Sequence, residues 1–170
     1  KVVEYALKHY GRLDVLDNNI GIASNVSVVE ESEEYWDRVM EINLKPMFLM
    51  SKYAIPAMIS SGDGGSIVNI SSISATRPKG LTAYSTSKGA VLSLTQAMAV
   101  DHGGEGIRVN CILPGPVYTP MVYASSSYLN QEGMSSEQRS QRQNASLLQI
   151  EGEGWDCLLY TSDAADEAIG

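Results

Sequence analysis

Three short apolar runs punctuate the chain, and between them apolar positions recur every three or four residues. Leu13 to Asp17, Ser66 to Ile70 and Arg108 to Leu113 are aliphatic or β-branched runs of strand length. Such runs suit parallel strands buried on both faces. After the first run, Asn18-Asn19-Ile20-Gly21 reads as a turn. Trp36, Val39, Met40, Asn43 and Met47 then share one helical face, with Ser32 as N-cap and Glu33 and Glu34 in the first turn, where carboxylates are favourable. Asn43 is a polar residue on an otherwise apolar stripe. Pro46 follows, and because it has no N–H the carbonyl of Ile42 loses its helical partner. The sequence therefore predicts a kink that leaves a backbone carbonyl and the Asn43 amide free to hold a water. A longer helix is expected from about Ala83 to His102, burying Ala90, Val91, Leu94, Ala97 and Met98. Gly62 to Gly65 and Gly103 to Gly106 follow helices and precede strands, so they read as helix ends and turns. Helices joining parallel strands make right-handed crossovers, and the order predicts an α/β, doubly wound parallel sheet.

Composition narrows the picture by exclusion. Hydrophobic residues make up 44% of 170, which is ordinary for one globular domain. The net charge is −8, and no basic patch interleaves with aromatics, which argues against a nucleic-acid partner. No apolar run reaches the length of a membrane span. Cys111 sits in a strand and Cys157 near the end, a pair that forms neither a disulfide framework nor a metal pattern. His9 and His102 fall at helix ends and are expected to be surface or capping residues, so no metal site is expected. The expected compartment is the cytoplasm.

Candidate chemistry centres on Tyr84-Ser85-Thr86-Ser87-Lys88. Positions i and i+4 share a helical face, so the Lys88 ammonium is expected near the Tyr84 phenol, favouring phenolate. A phenol so adjusted can act as general acid or base. Ser72, at the end of the run Ser66-Ile-Val-Asn-Ile-Ser-Ser72, could polarise the same substrate oxygen. An isolated Tyr-x-x-x-Lys is far more often an amphipathic Tyr with a solvated Lys than a catalytic pair, so its neighbours decide its meaning.

Five collinear segments supply those neighbours. They are Gly11 to Gly21, containing Asn18-Asn19-Ile20-Gly21; Trp36 to Leu44, containing Asn43; Gly65 to Ser72; Ala83 to Ala90, containing Tyr84 and Lys88; and Gly106 to Met121, containing Pro114-Gly115-Pro116-Val117-Tyr118-Thr119. In order and spacing the chain resembles the classical short-chain dehydrogenase/reductase family from about residue 1 to about residue 121. The resemblance implies a Rossmann-like, three-layer α/β/α fold and hydride transfer between NAD or NADP and a secondary alcohol or ketone. It implies that Tyr84 exchanges the proton at the substrate oxygen, that Ser72 hydrogen-bonds that oxygen, and that Lys88 lowers the Tyr84 pKa and binds the nicotinamide ribose. Asn43 would hold a relay water. Asn18 and Gly21 would border the adenosine side, and Pro114, Gly115, Val117 and Thr119 the nicotinamide. Ser71 is an adjacent candidate for the Ser role, and Ser72 is preferred because it aligns with the second Ser of the pattern. Ile20 departs from the family's Ala. A homodimer or homotetramer, built on the long helix and the one before it, is also implied.

The family's glycine-rich pyrophosphate turn does not precede residue 11, so an N-terminally truncated domain is expected, with residues 122–156 as substrate lid and altered C-terminal part. Cys157 to Glu167 resembles a translated sequencing-adapter end, so 157–170 is expected to be an artefactual tail. Two functions compete. One is a dehydrogenase or ketoreductase acting on a small molecule. The other is a catalytically silent binding or scaffold protein on the same fold, or an inactive fragment. Intact Ser72, Tyr84, Lys88 and Asn43 count against silence in the parent gene. The 170-residue chain alone is expected to bind dinucleotide poorly and to aggregate through an uncovered sheet edge at 13–17.

Overall fold

The computed structural model describes residues 1–78, 80–123, 135–144 and 151–153. These divide into two compact units, Lys1–Leu113 and residues from Pro114 onward. The expected tail at 157–170 and much of the expected lid lie outside the described residues.

The first unit runs α1 (Val2–Tyr10), β1 (Val15–Asn18), α2 (Glu33–Asn43), α3 (Lys45–Ser60), β2 (Gly65–Ile70), α4 (Thr82–His102) and β3 (Ile107–Ile112). Each boundary has a local cause. Gly11 ends α1 in the left-handed conformation, with its N–H on the carbonyl of Leu7. Ser32 caps α2 as expected, its hydroxyl accepting from the N–H of Tyr35 at 3.1 Å. The expected break occurs at Leu44, between α2 and α3 and two residues before Pro46.

All three strands are parallel, in the order β1-β2-β3. Successive right-handed crossovers in one direction place their helices on one face of the sheet, and the core follows that rule. Leu16, Ile67, Ile107 and Val109 pack with Val3 of α1, with Ala54, Ile55 and Met58 of α3, and with Met98 of α4. On the opposite face Val15, Asp17 and Asn110 are exposed, while Val68 is buried. One register row on the helix-covered face is apolar, Leu16–Ile67–Val109; the next row toward the strand ends is Asn18–Asn69–Cys111.

Helix α4 differs in one detail from its expected face. Val91 and Met98 are buried, but Ala97 is exposed and Thr95 is buried. The buried stripe runs Ala83, Ser87, Lys88, Val91, Thr95, Met98. It follows helical geometry with polar residues at three of its steps, so an apolar-only reading shifts it around the helix.

In the second unit, β4 (Val117–Tyr118) pairs in parallel with β5 (Gly152–Glu153), alongside α5 (Pro120–Tyr123) and α6 (Ser136–Asn144). Glu151, its side chain fully enclosed, receives Arg142 at 2.8 Å and lies 3.6 Å from Arg139. The Arg139 guanidinium stacks 3.8 Å from the centre of the Tyr118 ring.

Candidate active site

Parallel strands present their carboxyl ends on one edge, where open α/β sheets hold ligands. Strand β2 delivers Ser71 and Ser72 just past that edge, both buried. The first two turns of α4 deliver Tyr84, Ser87 and Lys88.

The two serines take different tasks. Ser71 turns inward and its hydroxyl donates to the carbonyl of Lys88 at 2.7 Å, which ties β2 to α4. Ser72 accepts the N–H of Ser74 at 3.1 Å, and its hydroxyl is close enough to the Tyr84 phenol to act on its proton affinity. A hydroxyl has one hydrogen and two lone pairs. With the Ser74 N–H on one lone pair, the Ser72 hydrogen faces Tyr84 or an incoming oxygen. This geometry favours Ser72 over Ser71 as the residue beside the phenol.

Lys88 is buried and donates to the carbonyl of Ile70 at 2.8 Å. Its Nζ lies 5.8 Å from the centre of the Tyr84 ring. The expected electrostatic effect on Tyr84 is not what this geometry produces. Burial raises the Tyr84 pKa, and the neighbouring Ser72 hydroxyl opposes that rise. The ammonium gives one N–H to a backbone carbonyl and lies over the ring, and burial dominates the Tyr84 phenol. Burial also lowers the Lys88 pKa to about 8, against a smaller opposing effect of Cys111.

Asn43 also departs from expectation. Its amide is fully enclosed, with both N–H donors and one Oδ1 lone pair engaged. The Ile22 N–H donates to Oδ1 at 2.7 Å, and Nδ2 donates to the Ile22 carbonyl and to the Ser87 hydroxyl, each at 2.9 Å. Ser87 in turn donates to the carbonyl of Tyr84 at 2.7 Å. Both amide hydrogens are therefore committed within the protein. It clamps the chain just beyond Gly21 against the first turn of α4. The other group expected to become free at the kink is the Ile42 carbonyl, whose helical partner would be the N–H that Pro46 lacks.

Gly21 shows how close that approach is. A Cβ there would sit 3.3 Å from Lys88 Nζ and 3.4 Å from Asn43 Oδ1. Asn18 is buried, and its amide donates to Asn69 Oδ1 at 2.9 Å within the sheet. The first unit thus brings Gly21, Asn43, Ser72, Tyr84 and Lys88 together, with Asn18 one layer below. Pro114, Gly115, Val117 and Thr119 belong to the second unit, Val117 in β4 and Thr119 just before α5.

Sequence reasoning passed over Ser87, Asn69 and Thr95. Ser87 and Thr95 could have been found from the stripe of Tyr84, Ser87, Lys88, Val91 and Thr95 at helical spacing. Asn69 could have been found as the one amide within an apolar strand. Among the described residues no group of three or more His, Cys, Asp or Glu side chains is placed to hold a metal ion.

Residues 1–129 match the family model for short chain dehydrogenase. The chain belongs to the short-chain dehydrogenase family. A 3-oxoacyl-(acyl-carrier-protein) reductase of Thermotoga maritima is 42% identical over 122 residues, covering 71% of this chain and 49% of the relative. The human dehydrogenase/reductase SDR family member 4 is 34% identical over 169 residues, covering 98% of this chain and 58% of the relative. The structure is similar to ligand-free aldohexose dehydrogenase of Thermoplasma acidophilum, with a TM-score of 0.81 at 35% identity, covering 89% of this chain and 60% of that one. The fold is accordingly Rossmann-like. This short-chain dehydrogenase chain spans about half the length of the first curated relatives it matches. No helix among the described residues is long and apolar enough to cross a membrane.

Proposed function

We propose that the gene product carrying this chain is an NAD- or NADP-dependent oxidoreductase that interconverts a secondary alcohol and its ketone. The observation that supports it most is the meeting of buried Ser72, just past the carboxyl end of β2, with Tyr84 and Lys88 of α4, the Lys88 ammonium lying 5.8 Å from the Tyr84 ring centre. A bound dinucleotide would supply or accept the hydride. The chain's own residues manage the substrate oxygen. In the reducing direction the Tyr84 phenol gives its proton to that oxygen, and the Ser72 hydroxyl donates a hydrogen bond to it. In the oxidising direction the same groups act in reverse.

The residues present suit such a cofactor. Lys88 has three N–H donors and gives one to Ile70, which leaves donors for the hydroxyls of a ribose. Gly21 presents bare backbone beside that ammonium, in space a Cβ would fill. Asn43 serves by holding Ile22 and Ser87, and any relay water would lean on backbone carbonyls near the α2–α3 break. For Asn18, burial suggests a bordering role through the backbone at the end of β1. The assignment of Pro114, Gly115, Val117 and Thr119 to the nicotinamide rests on the family resemblance.

The relatives' names span a 3-oxoacyl reductase and an aldohexose dehydrogenase, so the substrate class stops at small alcohols and ketones. A homodimer or homotetramer in the cytoplasm completes the reading. Phe48, Leu49 and Tyr53 of α3 and Val100 of α4 are exposed apolar groups that support it. The test is nicotinamide absorbance in the full-length gene product with NADH and NADPH against small ketones. Turnover with either dinucleotide is expected. A folded, dinucleotide-binding protein that turns over none of a broad panel in either direction would favour the silent alternative.

A further inference from the structure

We propose that Asn69 is a positioning residue whose amide pins the end of β1, which leads into the Gly21 turn, to helix α4, which carries Tyr84 and Lys88. The proposal rests on the functional reading above for its kinetic arm only.

Asn69 is fully enclosed at the centre of the sheet. Its Oδ1 accepts from Asn18 Nδ2 at 2.9 Å, and its Nδ2 donates to the Thr95 hydroxyl at 2.9 Å. Thr95 donates to the carbonyl of Val91 at 2.7 Å. The chain β1–β2–α4 is thus spanned by side chains alone. Each link admits one orientation. Thr95 has a single hydrogen and gives it to Val91, so only its lone pairs face Asn69. That requires Nδ2 on the Thr95 side, which turns Oδ1 toward Asn18, and Asn18 must then donate.

Packing alone does not require an amide here. The adjacent row, Leu16–Ile67–Val109, fills the same interface with hydrocarbon. A buried amide is tolerated only when satisfied, and a satisfied network selects one relative placement of its elements. The same row ends at Cys111, with Thr95 and Ser71 as neighbours of its thiol. Ser71 holds the Lys88 carbonyl. Two tethers therefore join the strands to α4 beneath the site, and the Asn43 clamp joins them above it. The close approach of Gly21 to Lys88 Nζ leaves little room for α4 to slide. A shift of α4 along its axis would displace Lys88 from Gly21 before it disturbed the hydrocarbon core.

The test compares Asn69→Leu, Thr95→Val and Thr95→Ser in the full-length gene product. Ile67→Val, in the adjacent row, loosens the core without touching the amide chain. The kinetic readout is KM for dinucleotide against kcat, well below each variant's unfolding temperature. The second readout, which needs no activity, is the titration of Lys88 followed by NMR with 13C-labelled lysine, with Tyr84 and Cys111 as its titratable neighbours. Asn69→Leu and Thr95→Val are expected to raise dinucleotide KM at least fivefold and to shift the Lys88 titration. Thr95→Ser, which keeps the hydroxyl, is expected to match wild type, and Ile67→Val to lose stability with both readouts unchanged. If Asn69→Leu does not fold, the contrast between Thr95→Val and Thr95→Ser decides. Inactive wild-type protein would count against the functional reading alone, and the Lys88 titration would still decide the positioning role. Wild-type KM and titration in Thr95→Val, or equal shifts in Ile67→Val, would overturn it.

Discussion

Replacing Asn43 by Leu removes a buried amide while keeping a side chain of similar length and branching. Asn43 satisfies both backbone polar groups of Ile22, at 2.7 and 2.9 Å, and one lone pair of Ser87. Ser87 keeps its own bond to the Tyr84 carbonyl, so its loss is small. The Ile22 N–H and C=O are left facing hydrocarbon, and an orphaned buried polar group costs roughly 1–3 kcal/mol. Two such groups make a loss of about 4 kcal/mol the central expectation, a large part of a typical domain's stability. The assay is urea unfolding of the full-length gene product, comparing midpoints at constant slope. Ser87→Ala should cost only about 1 kcal/mol. The double variant should fall short of the sum of the singles, because one bond is shared. A loss below about 1 kcal/mol for Asn43→Leu would refute the clamp, since water would then be serving Ile22 equally well.

Further expectations concern Lys88 and the turn before β2. The Lys88 pKa is lowered to about 8 from 10.5, so between those values the unfolded chain holds a proton that the folded chain has released. Lys88 therefore makes stability rise with pH across that window, by up to about 1 kcal/mol per pH unit. Cys111 and Tyr84, both raised, act in the opposite sense above 9.0 and 10.0, so pH 8 to 9 is the cleanest range. Urea midpoints that rise there in wild type and flatten in Lys88→Met are expected; no difference between the two would contradict burial of the ammonium. At Gly64, φ is +73° and a Cβ would overlap the Gly106 carbonyl oxygen. Gly64→Ala should cost roughly 3 kcal/mol or more from backbone strain and displaced β3, and a thermal midpoint within a degree or two of wild type would refute that contact.

The strands and the long helix α4 were legible because their signals are local. Apolar runs at Ser66 to Ile70 and Arg108 to Leu113 fall within a residue of β2 and β3. Ser32 caps α2 because a hydroxyl at that position has one obvious use. Tyr84 and Lys88 share a face because helical geometry places them there. What sequence could not supply was the partner of each polar group. Asn43 stood out as a polar residue on an apolar stripe, but its pairing with Ile22 depends on how the turn after β1 returns toward α2. Lys88 was expected beside Tyr84, and its bond to the Ile70 carbonyl, contributed by a different element, could not be foreseen from spacing. Asn69 and Thr95 were read over because their partners lie across the sheet, where spacing along the chain carries no information.

The central claim is that Tyr84 handles the proton at a substrate oxygen while the rest of the site is intact without it. Tyr84→Phe in the full-length gene product tests this most directly, with dinucleotide binding by calorimetry and turnover measured on the same preparation. The substitution removes one oxygen and leaves the ring beside Lys88. Binding within about twofold of wild type is predicted, together with turnover lowered by roughly 10³ or more, at or above the middle of the range for loss of a general acid–base. Turnover retained within tenfold of wild type would contradict the assignment.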